Sequence, residues 1–305
     1  MHCNLVVQMD RSSFLKSLAV LPFGAAAAKL SPVMDLQDLH NLGSNLPASA
    51  KMPVLFVGHG NPMNAILDTA YSRAWQKIGK ELPHPKAILC ISAHWLTNGT
   101  SVAVTAKPET IHDFGGFPEE LFQVQYPAPG APEYAKLTAA TITSTKVTED
   151  KDWGLDHGAW SVIKHMYPAA NVPVFQLSID FRKNAVWHFE LGKQLSALRE
   201  KGVLIVASGN VVHNLGMVSW NDPNKKYDWA LEFDTLVKTS VENNTPNVLT
   251  DFEKLGRLAQ MAHPSPDHYY PLMYVLGLRR KDDKLSFFND SFDMGSISMR
   301  SVLFA

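Results

Sequence analysis

The sequence predicts a single-domain α/β fold: a central, mainly parallel or mixed sheet with helices on both faces. Three observations carry that expectation. Short aliphatic runs closed by Gly, Ser or Ala recur along the chain, as in "PVLFVGHGNP" from Pro53, "AILCISAHW" from Ala87 and "GVLIVASGNVVHN" from Gly202. Continuous apolar runs of this length, rich in β-branched residues, read as strands buried on both faces. Segments with helical spacing separate them, and strands alternating with helices imply parallel neighbours with crossover helices.

The elements follow in order. After the first strand, "NAILDTAYSRAWQKIGKEL" places Ile66, Ala70, Ala74, Trp75 and Ile78 at helical spacing. "PEYAKLTAATI" from Pro132 and "NAVWHFELGKQLSALREKG" from Asn184 read as helices, the second stopped by Gly202. "VPVFQLSID" from Val172 is a further buried strand, and "SISMRSVLFA" supplies a terminal one. "DWALEFDTLVKTSVEN" and "PDHYYPLMYVLGL" complete the helices.

Residues 1–51 read differently, as a leader and linker ahead of a domain over 52–305. From Met9, "MDRSSFLKSLAVLPFGAAAAKLS" has a basic start, a short apolar region and a run of small residues, the parts of an export signal. Periplasmic export is the expected localisation, with a cytoplasmic enzyme as the alternative; Ser12 stands where a twin-arginine signal has its second arginine. Pro22 and Gly24 leave the apolar stretch too short for stable membrane insertion.

Composition narrows the function classes. In 305 residues the formal net charge is −1, so no basic surface suited to nucleic acid is expected. Two cysteines, Cys3 and Cys90, make neither a disulfide framework nor a cysteine-based zinc site. Histidine is the unusual residue, with twelve. His59, His94 and His213 each follow a strand, and in parallel sheets ligands bind beyond the carboxyl ends of the strands. Three further polar clusters are His112 with Asp113, Asp156 with His157, and His263 with His268. His263, His2, His40, His84, His165 and His188 read as structural or solvated.

Together "GHGNPMNA", "SAHW", "IHDFGGFP", "YPAPG", "DHGAW", "SGNVVHNL" and "PDHYYPLMYVLG" resemble the DOPA 4,5-extradiol dioxygenase family, within the superfamily of the catalytic subunit of protocatechuate 4,5-dioxygenase. The resemblance implies an enzyme that opens the ring of a catechol, DOPA-like or another small catechol, with O₂ to a muconic semialdehyde-type product. It implies one divalent metal per chain on His59, His94 and His268, the last replacing the carboxylate of the common triad. Fe(II) suits O₂ chemistry, while an all-histidine set suits Zn(II) as well. By the same resemblance His213 is the acid/base, or a fourth ligand if it reaches the ion, and His157 is a second catalytic histidine. His112 is assigned to substrate contact, and Asp156 to substrate binding or to orienting a ring nitrogen. Two other classes stay open on spacing alone: a zinc hydrolase using the same histidines, and a non-catalytic binding protein on this scaffold.

Overall fold

The aliphatic runs become neighbouring strands of one sheet in the computed structural model, which describes residues 48–222 and 225–305. The segment expected to be an export leader, and most of the expected linker, fall outside the described residues. Among those described, no helix is long and apolar enough to cross a membrane.

The central sheet contains β1 (Val54–Gly58), β2 (Ala87–Ser92), β3 (Val174–Gln176), β4 (Val203–Gly209), β5 (Leu285–Phe288) and β6 (Ser301–Phe304). Their spatial order is β3-β2-β4-β1-β6-β5. The first four run parallel. β6 is antiparallel to both β1 and β5, so the sheet is mixed.

Every residue of β1, β2 and β4 is buried, because helices cover both faces. Side chains alternate across the pleat. Val54, Phe56, Leu89 and Ile205 enter one apolar cluster with Leu191, Leu272 and Val275, which lie on α4 (Ala185–Gln194) and α6 (Tyr270–Leu278). Leu55, Val57, Ile88 and Val206 enter the other with Trp75 and Trp160, from α1 (Ala70–Glu81) and α3 (His157–Met166). The remaining long helices are α2 (Pro132–Thr141) and α5 (Asp228–Glu242).

Three segments depart from the sequence expectation. The helix expected over 184–202 is α-helical only to Gln194 and continues as a 3₁₀ turn, Leu195–Lys201, ending at Gly202 with φ +81°. Three residues per turn put Leu195 and Leu198 on one inward row. "VPVFQLSID" divides, and Ile179–Asp180 pairs outside the main sheet with Leu96–Thr97. Helix α3 is not expected from spacing at all. Eight of its ten residues are buried, so it has no polar face to mark its period.

Register then sets the site. Gly58 lies opposite Gly209, and Ser92 opposite Ser208. The chains leaving β1, β2 and β4 therefore emerge side by side at the carboxyl edge of the sheet.

Candidate active site

His59 follows β1 directly. Its backbone N–H donates to the Gly209 carbonyl at 3.1 Å, which extends the β1–β4 pairing by one residue. Gly60 then turns with φ +59°, and a Cβ there would fall 2.4 Å from Met299 Sδ. Only glycine takes this turn without strain. Asn210, just beyond β4, ties the edge together. Its N–H donates to the His268 carbonyl at 2.9 Å, and its side-chain amide donates to the Ser298 carbonyl at 2.8 Å. That bond carries His268, at the entrance to α6, to the end of β4.

The three imidazoles share a wiring pattern. His59 Nδ1 lies 3.0 Å from Ser208 Oγ, His94 Nδ1 3.3 Å from Asp113 Oδ2, and His268 Nδ1 2.5 Å from Asp267 Oδ2. An oxygen partner on each Nδ1 fixes the ring and leaves Nε2 for another bond. His59 Nε2 and His94 Nε2 stand 3.1 Å apart, and the buried His268 Nε2 has no hydrogen-bond partner. One ligand nitrogen from each of the three lies within 4.8 Å of the others. Two nitrogens each about 2.0–2.1 Å from one ion lie no more than about 4.2 Å apart, and the 3.1 Å between His59 Nε2 and His94 Nε2 falls inside that limit. The donor set therefore fits a single divalent metal, and the orphaned nitrogen fits it as a third ligand.

Electrostatics agree. Burial, followed by repulsion from neighbouring imidazoles, holds His59 and His268 well below the ordinary histidine range. Burial and then His157 lower His94 as well, against the pull of Asp113. Neutral rings are the form that binds a metal.

His213 and His157 flank this group. The His213 ring lies flat on that of His268, with centroids 3.5 Å apart and 5° between planes. It stands outside the three nitrogens that come within 4.8 Å of one another, and burial lowers it to about 4. His157 opens α3 with its ring 3.9 Å from that of His94.

The carboxylate that organises this side is Asp113, which the sequence reading left without a role. Asp113 Oδ1 accepts from the His157 N–H at 2.8 Å, and Oδ2 lies 3.0 Å from His157 Nδ1 and 3.3 Å from His94 Nδ1. Burial pushes its carboxyl up, but the bonds from His157 and the nearby imidazoles outweigh that and hold it below the usual carboxylate range. The loop bearing it is anchored by the Trp160 indole N–H, which donates to the Ile111 carbonyl at 2.9 Å.

Two site expectations are corrected here. His112 does not line the cavity: its Nε2 bonds the Val124 carbonyl at 3.0 Å, and its ring packs among Phe114, Phe122 and Trp160. Backbone alternation turns Asp113 inward in its place. Asp156 touches neither cavity nor ring nitrogen. Fully buried, it accepts from the Ser92 hydroxyl at 2.6 Å, the Gln176 amide at 2.7 Å and the Ala159 N–H at 3.1 Å. It caps α3 and joins that helix to β2 and β3. Ser208 and Asp267, also unassigned from sequence, hold His59 and His268; the adjacent Asp267–His268 pair was the one available signal.

His59, His94, Asp113, His157, His213 and His268 line a cavity of about 340 Å³, within the size range of sites for small organic ligands. Residues 52–305 match the family model described as the catalytic LigB subunit of aromatic ring-opening dioxygenase. The chain is 46% identical over 260 residues to the 4,5-DOPA dioxygenase extradiol of Escherichia coli (strain K12), covering 84% of this chain and 95% of that protein. It is 38% identical over 256 residues to the protein of the same name from Beta vulgaris, covering 82% and 95%. A crystal structure of an uncharacterised Escherichia coli K12 protein superposes with a TM-score of 0.73 at 42% identity, covering 83% of this chain and 100% of that one. With three mutually facing imidazoles at the carboxyl edge of a mixed sheet and these relatives, the chain belongs to the LigB family of aromatic ring-opening dioxygenases and is an extradiol ring-cleaving enzyme.

Proposed function

We propose that this enzyme opens the ring of a small catechol with O₂, using one divalent metal held by His59, His94 and His268, and releases a muconic semialdehyde-type product. The observation that carries the reading is the common wiring of the three rings: each Nδ1 lies beside an oxygen, the Nε2 atoms of His59 and His94 stand together, the buried His268 Nε2 has no partner, and one ligand nitrogen of each ring lies within 4.8 Å of the others. Bound there, Fe(II) would supply the open coordination positions at which the two catechol oxygens and O₂ meet.

The chain's own groups do the rest. His213, flat against His268 on the cavity wall, takes a proton from a catechol hydroxyl and returns it later in the reaction. Its lowered affinity for protons keeps it free to accept one at neutral pH. His157, pinned through its N–H to Asp113, presents its ring to the same space beside His94. Asp113 keeps both rings in place. The all-nitrogen donor set suits Zn(II) equally, and zinc has no redox chemistry.

Oxygen uptake tests the proposal. Protein stripped of metal and reloaded anaerobically with Fe(II) should consume O₂ with a catechol and form a yellow product, whereas zinc-loaded protein should not. Equal turnover by zinc-loaded protein with iron verified absent would overturn it. Hydrolysis of an ester by zinc-loaded protein, without O₂ uptake in either form, would favour a zinc hydrolase.

A further inference from the structure

His263 lies shortly before the proposed ligand His268 in the chain, and its surroundings are not those of a solvated histidine. It follows the short helix Arg257–Ala262 and is buried. Its ring packs among Phe233, Phe252 and Tyr269, with centroids 5.5, 6.4 and 4.9 Å away. Inside that aromatic cage Nε2 lies 2.7 Å from the Val211 carbonyl. A carbonyl only accepts, so Nε2 carries the proton and the tautomer is fixed.

Val211 belongs to the loop that carries His213. One side of this loop is bonded to residues 261–263. The His213 N–H donates to the Ala262 carbonyl at 2.9 Å, the Asn214 amide to the Met261 carbonyl at 2.7 Å, and His263 to Val211. The other side is bonded to residues 296–298, where the Ser298 N–H donates to the Val212 carbonyl at 2.9 Å and the Asn214 N–H to the Ser296 carbonyl at 3.1 Å. Backbone donors at 263 and 264 cannot serve Val211. The His263 N–H is spent on the Ala259 carbonyl at 2.8 Å, closing its helix, and Pro264 has no N–H to give. The imidazole supplies the donor instead. Val211 is fully buried, so its carbonyl would be costly to leave unpaired.

What hangs from this tether is His213, flat on His268 with ring centroids 3.5 Å apart. An acid/base works only within hydrogen-bond reach of the proton it moves, and a misplacement of about 1 Å costs on the order of 10²-fold in rate. We propose that His263 is a positioning residue for His213: by holding the Val211 carbonyl it sets where the acid/base stands over the site. The role rests on the reading of His213 as the acid/base. A histidine that only filled its cage could be exchanged for phenylalanine without touching the chemistry; one that holds Val211 could not.

Crystal structures of zinc-loaded protein test the tether without turnover. H263F keeps the aromatic packing and loses the donor, so the His213 ring should shift off its stack on His268 by about 1 Å, whereas the amide of H263Q should leave it in place. With Fe(II) and a catechol, H263F should keep its metal and its KM and lose about 10–100-fold in kcat, and H263Q should recover most of that. The loss should vanish where no acid/base remains to be positioned: H213A/H263F should turn over no more slowly than H213A. If H263F does not fold, H263N replaces it, since its shorter amide falls short of Val211 and should show the same losses beside H263Q. An unmoved His213 ring, or a loss that multiplies with that of H213A, would overturn the proposal. Oxygen uptake keeps the claims apart. Slow turnover in H213A with H263F unaffected sinks only the positioning. No uptake by the unaltered protein, with His213 displaced in H263F, sinks only the ring opening. Full turnover by H213A sinks the acid/base reading and this role with it.

Discussion

The two ends of β1 and β4 bury polar groups in opposite ways. At the amino end, Arg199 is wholly buried, and each nitrogen of its guanidinium has a hydrogen-bond partner. Its Nε donates to the Met52 carbonyl at 2.7 Å, and Nη1 to the Leu278 carbonyl at 3.0 Å. Nη1 and Nη2 form a two-pronged pair with Asp283 at 2.8 and 2.7 Å. Asp283 takes two more bonds, from Lys51 Nζ and the Arg280 N–H, each at 2.7 Å. At the carboxyl end, neutral imidazoles crowd together and His268 Nε2 has no partner. A buried charge with every nitrogen bonded locks chain segments together; a buried donor set left open is ready for a ligand. One end holds the strands, and the other uses the gap between them.

The sharpest way to break the comparison is to empty the open end. His59→Ala or His268→Ala should lose most of the bound metal and all activity, while the melting temperature of metal-free protein changes little. Metal analysis and thermal melts of the two variants check this. His213→Ala should keep its metal and still bind a catechol, with turnover down about 10²–10⁴-fold, the scale of losing a general acid/base. Metal loss in His213→Ala comparable to that in His59→Ala would make His213 a ligand.

The closed end should respond in the opposite sense. Arg199→Met strands Asp283 with Lys51 as its main cation, so the cost should sit near the low end of about 3–5 kcal/mol, lowering Tm by roughly 6–12 °C. Turnover per folded molecule and metal content should be unchanged. A large fall in kcat without a fall in Tm would show that the two ends are not separable.

Asp113→Asn sharpens the comparison within the site, since the amide keeps the shape but loses the charge. A 10–100-fold drop in metal affinity or activity is expected, the usual effect of removing a carboxylate behind a ligating histidine. Urea unfolding should be nearly unaffected, and Asp113→Glu should recover part of the loss.

The smallest effect is an acid limb belonging to the closed end. Burial pushes the Asp283 carboxyl up, but the bonds from Arg199, Lys51 and the Arg280 N–H outweigh it and lower it from 3.8 to about 2. A depressed carboxylate stabilises the fold above its unfolded value and gives that up as pH falls toward the folded one. Urea midpoints should therefore drop between about pH 4 and pH 2, and less steeply in Arg199→Met. Identical slopes in the two proteins would remove Asp283 as the source.

Three Asp–His neighbours show how far the residues speak for themselves. Asp267 binds the ring of its own neighbour, His268. Asp113 leaves His112 to the packing around Trp160 and instead serves His157 and His94. Asp156 ignores His157's ring and caps the helix that His157 begins. The same two residue types, adjacent each time, end in three arrangements. Which partner an aspartate meets depends on the segment packed against it, and adjacency in the chain gave the partner in only one of these three cases.

What the sequence determined by itself is everything that repeats at short range. The aliphatic runs of β1, β2 and β4 declare strands buried on both faces, and small residues followed by histidine mark their carboxyl ends, so His59, His94 and His213 could be grouped before any contact was known. The mixed character of the sheet, the buried helix α3, the inward turn of Asp113 rather than His112, and the choice of Ser208, Asp113 and Asp267 as partners for three Nδ1 atoms were decided only by tertiary structure. Local pattern reports which face a residue prefers. Direction of a strand, orientation of a ring and the partner of a buried charge are set by whatever packs across the gap, because a buried polar atom must find its bond in space, from groups far away in sequence.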